Sequence, residues 1–589
     1  IHAPRRQKIP SMQLHLGIQN EAFKLTCGTD LLARQSQIDA FPHEISLSAG
    51  QNDTAAFEIV FYGDCDFLLT TGRGYRISQD WSLPTVRAAI HALTGDTPYP
   101  ATVQLIDQHI DDDNRTRADA ILTSDSFSIK RGATHSLWAE ICLPEDARPG
   151  AYNYAVTFYQ SARSTDDTIL AEVTAHVEVL PYRMPTPKEH RFHLDLWQHS
   201  SNLSRKHEVP LWSDAHFAVL ENYVRSLGEL GQKAATIVAS DIPWQGQGCV
   251  NEERRGADLY EYNIISVTKD TSGVFHYDYT AMQRYIDLCT KYGIDREISV
   301  YGLCNVWALA GEDVAPDYPD GVRVSYIDEA DGCRYFLHSA AEIDDYIRSL
   351  HDYFRATGQL GKVRLAADEP GDVEKYRRIL SHIFAIAPGF HCKAAINHAE
   401  FIGEFGGEVY DFAPYIDCVL AEYDKLLHYK ATMRGKRFLW YVCCGPEFPN
   451  TFLRSSLAES YLIGVITSFA GLDGFLRWNY TVFNDDPRAD IRYYIFPAGD
   501  TNFVYPAKNG APLLTLRYKA LRRGIELYEL LERAKEVAPD AAQAAFDTLL
   551  HTEKWGDPTA LRALPATLDY NAYATVRRNL MLALSGKQR

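Results

Sequence analysis

The sequence predicts a multidomain protein: an N-terminal β-sandwich, a (β/α)₈ TIM barrel and a helical C-terminal extension. Three observations carry this. Up to about residue 185, short runs alternate between apolar and polar side chains at period two and are rich in β-branched and aromatic residues. After residue 187, continuous apolar runs alternate with amphipathic helical patterns, and from Ala534 onward the chain is Ala-rich and helical in pattern. The domains are therefore placed at 1–185, 186–533 and 534–589.

In the first unit, Ala56-Phe57-Glu58-Ile59-Val60-Phe61-Tyr62 and Ala151-Tyr152-Asn153-Tyr154-Ala155-Val156-Thr157-Phe158-Tyr159 read as half-buried antiparallel strands. The last strand runs over 170–179 and exits through Leu180-Pro181-Tyr182-Arg183-Met184-Pro185-Thr186-Pro187. Proline donates no ladder hydrogen bond, so Pro181, Pro185 and Pro187 mark the boundary.

In the second unit, strands are expected at 192–196, 235–239, 298–303, 363–367, 393–396, 416–421, 438–442 and 474–478. Helices are expected near 213–229, 281–292, 340–357, 373–387, 399–405, 423–434, 453–464 and 512–533. Eight strand–helix repeats, with strands apolar on both faces, are what a closed barrel requires. The first helix shows the logic: Trp212-Ser213-Asp214 offers caps, and Phe217, Leu220, Tyr223, Val224 and Leu227 share one face. An insertion at 245–280 carries a hairpin with arms at 259–265 and 274–277, and a second decoration pairs 322–327 with 334–337. Insertions after strands fall on the C-terminal face, where barrel enzymes build their sites.

Composition narrows the function. The 589 residues are 46% hydrophobic and 23% charged, which excludes disordered and low-complexity classes. Lys+Arg 59 against Asp+Glu 77 gives −18, which argues against nucleic acid and anionic membranes as partners. No run approaches the ~20 apolar residues of a membrane span. The 11 cysteines are scattered without a C-x-x-C pair, so most read as small buried hydrophobes in a reducing compartment. With no hydrophobic signal core at the start, this favours the cytoplasm; the chain begins without Met, so export after removal of a leader is the alternative.

No G-x-G-x-x-G, Walker loop, H-E-x-x-H or G-x-S-x-G occurs, so neither a cofactor nor a metal is expected and catalysis rests on side chains. In a barrel these follow the strands. Strand four ends Leu365-Ala366-Ala367-Asp368-Glu369-Pro370, with Pro370 expected to hold Glu369 extended. Two close carboxyls tend to divide into one ionised and one protonated group, the division that glycoside hydrolysis uses. Adjacent acids also arise by chance, as at Asp328-Glu329; position separates the cases, because Asp368-Glu369 ends a run that fits the barrel wall.

Other strand tips suit a sugar. Trp197 follows strand one, Trp307 strand three, Asn397 and His398 strand five, Tyr423 strand six, Tyr441 strand seven, and Arg477, Trp478, Asn479 and Tyr480 strand eight. Aromatic faces stack on pyranose C–H groups, and Asn, Arg and His bond hydroxyls and amides. Singly, each is more often packing; together at strand ends they point to a ligand.

The chain resembles glycoside hydrolase family 123 over roughly residues 135 to 533. The resemblance rests on Trp138-Ala139-Glu140-Ile141-Cys142-Leu143-Pro144-Glu145-Asp146-Ala147-Arg148-Pro149-Gly150-Ala151-Tyr152, the passage from Tyr262 to Gly293, Asp368-Glu369-Pro370, Arg477-Trp478-Asn479-Tyr480, Phe496-Pro497-Ala498-Gly499-Asp500 and Val504-Tyr505-Pro506. It implies a β-sandwich, a catalytic barrel, and release of terminal β-linked N-acetylgalactosamine, or a related N-acetylhexosamine, with retention through an oxazoline. Glu369 would be the general acid/base and Asp368 would orient the substrate's 2-acetamido group. Substrate assistance removes the need for a second carboxylate at the ~5–5.5 Å spacing of an ordinary retaining enzyme. The partner would be a glycan or glycoconjugate, with a homo-oligomer compatible. The alternatives are a two-carboxylate glycosidase with Glu447 as nucleophile, acting on sugars with a free 2-hydroxyl, and a non-catalytic glycan-binding protein.

Overall fold

The computed structural model describes residues 12–28, 30–72, 83–93, 99–161, 167–242, 260–306, 314–493, 495–550 and 566–586. The N-terminal region is β-rich. One six-stranded sheet is antiparallel throughout, in the order Leu14–Asn20, Asp53–Gly63, His135–Leu143, Ala101–Ile110, Thr116–Ile121 and Thr26–Cys27. The other runs Glu44–Gln51, Thr168–Arg183, Gly150–Gln160, Thr85–Ala92, Phe67–Thr70 and Ser126–Ile129, with its first and fourth pairings parallel. Pairing of Thr168–Arg183 with Glu44–Gln51 breaks between Val179 and Arg183, where Pro181 interrupts the ladder.

Strand Asp53–Gly63 corrects one sequence reading. It is buried on both faces, because its odd residues Phe57, Ile59 and Phe61 enter a cluster that draws on both sheets while Ala56, Val60 and Tyr62 join a second cluster that continues into the C-terminal half. Helix Leu516–Val537 supplies much of the opposing surface through Arg517–Asp119, Lys519–Glu140 and Arg523–Glu21 ion pairs. Its close approach to helix Leu457–Phe469 depends on two glycines: a Cβ on Gly464 would lie 1.7 Å from the Gly524 carbonyl oxygen.

The following region is α/β. Its eight parallel strands are, in order, His193–Leu196, Ala234–Val238, Glu297–Tyr301, Val363–Asp368, His391–Ile396, Val409–Pro414, Leu439–Tyr441 and Gly474–Arg477. Strands two to six form one sheet in chain order, and strands one, eight and seven form another. Isolated parallel bridges Leu194↔Gln232, Phe412↔Phe438 and Tyr415↔Tyr441 link the two sheets. Helices Asp214–Leu230, Thr280–Lys291, Ala340–Ala356, Val373–Ile386, Glu400–Phe405, Tyr423–Thr432 and Leu457–Phe469 lie between strands. Ser213 caps the first by accepting from His216 N at 3.2 Å, and Phe217, Leu220, Tyr223, Val224 and Leu227 are its buried face.

Strand six is Val409–Pro414, and the run at 416–421 read as a strand is helix Ile416–Ala421. Its buried residues Ile416, Val419 and Leu420 fall at helical spacing. The true strand was masked by Asp411 and Pro414, polar and ladder-breaking residues; Asp411 is buried against Arg364 at 2.8 Å. The first hairpin arm is also displaced: it is Ser266–Lys269, paired with Phe275–Asp278, because the turn begins at Asp270, whose carboxylate accepts from Ser272 N and Val274 N. Both insertions merge into one four-stranded sheet through Thr268↔Ile327 and Lys269↔Asp328.

Helices Pro539–Leu549 and Tyr570–Leu584 end the described chain, the last tied to the N-terminal sheets by Arg577–Asp53 and Arg578–Glu178. Of the ten described cysteines only Cys289, Cys304 and Cys392 are buried, fewer than expected; Cys142, for example, lies on a strand with its neighbours Ile141 and Leu143 turned inward. Among the described residues no helix is long and apolar enough to cross a membrane, and no group of three or more His, Cys, Asp and Glu is placed to hold a metal ion.

Candidate active site

Strand four ends at Asp368, whose ladder partner is Ala395, and Glu369 N extends the pairing by donating to Ala395 O at 2.9 Å. There the chain leaves the sheet. Glu369 has φ of 41°, so it is not extended as Pro370 suggested; the left-handed turn swings its carboxyl back over the strand ends. Asn305, past strand three, also has positive φ, 51°, and its Nδ2 donates to Asp368 O at 2.6 Å. Asparagine tolerates this conformation better than most residues, and here its amide fixes the main chain of the acid pair.

The carboxylate of Glu369 is held from two sides. Tyr441 Oη, at the end of strand seven, donates to Oε1, and Asn397 Nδ2, after strand five, donates to Oε2 at 3.3 Å. Burial pushes the Tyr441 phenol well above its usual range, and the Glu369 charge adds to this, so Tyr441 remains a donor. Tyr415 packs on it with ring centroids 5.4 Å apart.

Below this lies an apolar layer that includes Trp197, Val238, Tyr301, Ala366, Ala395, Ala413, Tyr441 and Leu476, one or more from each of the eight strand ends. Trp197 and Tyr301 rings meet at 4.7 Å, and the Trp197 Nε1 and Tyr301 hydroxyl are buried without a hydrogen-bond partner among the described residues. Unpaired donors in such a layer are costly unless a ligand uses them. A cavity of about 20 Å³ is lined by Tyr301, Asn305 and Asp368. The chain at 243–259 and 307–313, following strands two and three, lies outside the described residues, and so does Trp307. A larger groove, about 560 Å³, runs between the N-terminal sheets and helix Tyr570–Leu584 and contains none of the site residues.

The expected sugar contacts of strand eight divide. Trp478 is half-buried beside Phe496, at 5.1 Å, and faces the cluster. Arg477, Asn479 and Tyr480, expected as sugar contacts, are buried and hydrogen-bonded within the protein. Arg477 donates to Asp500 Oδ1 at 2.8 Å and to Asn450 Oδ1 at 3.2 Å; Asn479 donates to Asp500 O at 2.7 Å; Tyr480 Oη meets Ser226 Oγ at 2.8 Å. Asp500 thus ties these elements together, with burial lifting its carboxyl to about 6 despite the facing Arg477. The strand-end alternation places 476 and 478 toward the cluster and 477 and 479 away from it, while Tyr480, past the strand end at Arg477, leaves that alternation and meets Ser226.

Tyr423 lies within helix Tyr423–Thr432, stacked on Phe469 and donating to its carbonyl, so the structure does not bring it to the cluster. The displaced strand six is the reason, and Tyr415 takes the tip position instead. His398 is exposed, with Nδ1 3.6 Å from Glu400 Oε1. Tyr301 and Tyr415 were not singled out from sequence, and Asn305 and Asp500 stood there only inside longer motifs, without a role. Asp500 had a usable signal, since an acid in Phe496-Pro497-Ala498-Gly499-Asp500 is the natural partner for Arg477.

The model of the glycoside hydrolase 123 catalytic domain matches residues 197–534, more than half of the chain. The chain belongs to glycoside hydrolase family 123. It is a glycoside hydrolase by that membership. A family 123 glycoside hydrolase from Clostridium perfringens, solved in a study of glycolipid glycan hydrolysis, superimposes with a TM-score of 0.72 at 16% identity, covering 98% of each chain. That likeness is one of fold. β-Glucuronidases from Bifidobacterium dentium and Dictyoglomus thermophilum follow with TM-scores of 0.31 and 0.28 at 12% and 10% identity, covering 87% and 88% of this chain and 66% and 69% of theirs. At those scores they carry no argument. No curated protein sequence matches the chain.

Proposed function

We propose that this family 123 member is a retaining, exo-acting glycosidase that releases terminal β-linked N-acetylgalactosamine, or a related N-acetylhexosamine, with the substrate's own 2-acetamido oxygen as nucleophile. The eight parallel strands are read as one closed (β/α)₈ barrel and the two N-terminal sheets as a β-sandwich. Strand order, the three linking bridges, and the convergence of Asp195, Glu297 and Lys393 from strands one, three and five support the barrel. A cluster drawing on both N-terminal sheets supports the sandwich.

The observation that carries the catalytic reading is the pairing of Glu369, oriented by Tyr441 and Asn397, with an adjacent Asp368 on a main chain pinned by Asn305. Glu369 donates its proton to the glycosidic oxygen as the bond breaks. Asp368 accepts from the acetamido N–H, which raises the nucleophilicity of the carbonyl oxygen as it closes on the anomeric carbon to an oxazoline. Glu369 then deprotonates the water that opens it. Trp197, Tyr301 and Trp478 offer apolar faces and free or weakly used N–H and O–H donors to the sugar. The Clostridium perfringens relative is described with glycolipid glycans, and a glycoconjugate of that kind is the natural class to test here.

Glu447, the alternative nucleophile, is exposed and clamped by Arg454 at 2.5 and 2.8 Å, and Arg454 is itself bound to Asp112 of the N-terminal region. This favours substrate assistance. The test is inhibition by a thiazoline analogue of the oxazoline, run with nitrophenyl glycosides that carry or lack the acetamido group. Submillimolar inhibition and selective cleavage of acetamido sugars are expected. Turnover of 2-hydroxy sugars without thiazoline inhibition overturns the mechanism, and binding without turnover on every β-hexosaminide overturns the activity.

A further inference from the structure

We propose that Cys443 and Cys444 form a reactive vicinal dithiol at the rim of the site, a modification site that low-molecular-weight disulfides convert to a Cys443–Cys444 disulfide. The two sulfurs are 3.8 Å apart. They follow Tyr441, the residue that holds Glu369, by two and three positions. Cys443 is half-buried and packs against the cluster containing Tyr415 and Tyr441, whereas Cys444 is exposed. The segment is anchored rather than loose: Cys443 N donates to Gly445 O at 3.0 Å, and Asn450 Nδ2 donates to Cys443 O at 3.0 Å and to Pro446 O at 2.8 Å. The side chains are therefore presented together by a fixed main chain. Cys304 and Cys392 also interact, but both are buried, so of these two pairs a solvent-borne reagent reaches the one at the rim.

The chemistry balances as follows. The Cys444 thiolate attacks one sulfur of the external disulfide, breaking its S–S bond and releasing one thiolate, which takes up the proton Cys444 has lost. The Cys443 thiolate then attacks Cys444 Sγ in the mixed disulfide and expels the second thiol. Two protein thiols are oxidised and one small disulfide is reduced to two thiols. The hydrogen bond from Cys443 holds the Cys444 thiol below the ordinary range, which favours it as the first nucleophile. Adjacent Cα atoms about 3.8 Å apart are closer than the ~4.4–6.8 Å usual for a disulfide, so the closed form is strained and readily reduced. Closure draws Cys443 Sγ from its place against Tyr415 and Tyr441 and loosens the support of Glu369. That last effect rests on the glycosidase reading; the thiol chemistry does not.

The native protein is treated with glutathione disulfide and followed by intact mass, peptide mapping and turnover of a nitrophenyl N-acetylhexosaminide. The expected result is loss of two hydrogens localised to Cys443 and Cys444, with no glutathione retained on either of them, a several-fold fall in turnover, and recovery of both with dithiothreitol. Cys443→Ser should instead accumulate the mixed disulfide on Cys444, and Cys444→Ser should resist modification. A wild-type mixed disulfide that never closes, or no reaction at this pair, overturns the proposal. Closure with unchanged turnover overturns its link to the site. If no substrate is turned over, the glycosidase reading falls while the mass data still decide the dithiol chemistry.

Discussion

Tyr441 and Glu369 are hydrogen-bonded across the ends of strands seven and four, the phenol donating to the carboxylate. A donor on Oε1 fixes which oxygen can carry the proton, since Asn397 occupies Oε2 only at 3.3 Å. Removing that donor should misorient the acid without emptying the pocket. Tyr441→Phe is therefore expected to lower kcat by about 10- to 100-fold, the range a hydrogen bond to a charged group supports, with little change in KM. Steady-state kinetics decide it: a kcat within twofold of the parent would make Tyr441 a packing residue.

Glu369 and Asp368 should fail differently. Glu369→Gln removes the proton donor, so substrates with poor leaving groups lose roughly 10²–10⁴ in rate while dinitrophenyl glycosides, which leave without help, lose far less in the first step. Asp368→Asn impairs ring closure to the oxazoline and slows both substrate kinds alike. Comparing kcat/KM across leaving groups distinguishes them, and identical profiles for the two variants would be incompatible with the assigned roles.

Seven of the eight parallel strands were legible, among them the one that ends at Asp368, because their apolar character reflects burial on both faces. Strand six was not, because Asp411 sits inside it; its carboxylate accepts from the Arg364 guanidinium and from the main-chain N–H of Arg437, partners far away in sequence. Arg477, Asn479 and Tyr480 looked like sugar contacts because their residue types suit hydroxyls. Which of 476 and 477 turns inward, a matter the sequence does not reveal, sets Arg477 and Asn479 toward Asp500, while Tyr480, past the strand end, meets Ser226. Asn305 was invisible as a main-chain clamp, since its function depends on a positive φ that composition does not reveal.

Arg477 and Asp500 are both buried, and each leaves the other uncompensated if truncated. Arg477→Ala should destabilise the fold by about 3–5 kcal/mol, as breaking a buried pair does, and reduce the soluble yield more than the affinity of the folded fraction. Thermal unfolding alongside inhibitor titration tests this. A variant with an unchanged melting temperature but lost inhibitor binding would return Arg477 to the sugar site.

Buried histidines should weaken the fold as pH falls. Burial lowers His190, His199 and His216 to about 4 and His193 to about 3. His216 shows why the neutral form is kept: its Nδ1 accepts from Trp212 N at 3.1 Å while Nε2 donates to Ser200 O at 3.0 Å, and a second ring proton would break the first bond. With folded values below the unfolded 6.5, the unfolded chain binds more protons below that pH. Their contribution is therefore complete above pH 6.5 and is lost as pH falls, by up to about 2 kcal/mol per histidine between pH 6.5 and 5. Glu261 and Asp500, lifted by burial to about 7 and about 6, act in the opposite sense over part of that window, as do Glu58, Asp320, Glu459 and Glu529, which burial also raises, so the histidines' share is read by comparing the parent with a histidine variant. Below pH 6.5 the histidines should pull the melting temperature down as pH falls. His216→Gln, which can keep one of the two bonds, should flatten that fall even if it lowers stability at pH 8; an unchanged slope would show that His216 is protonated in the folded state.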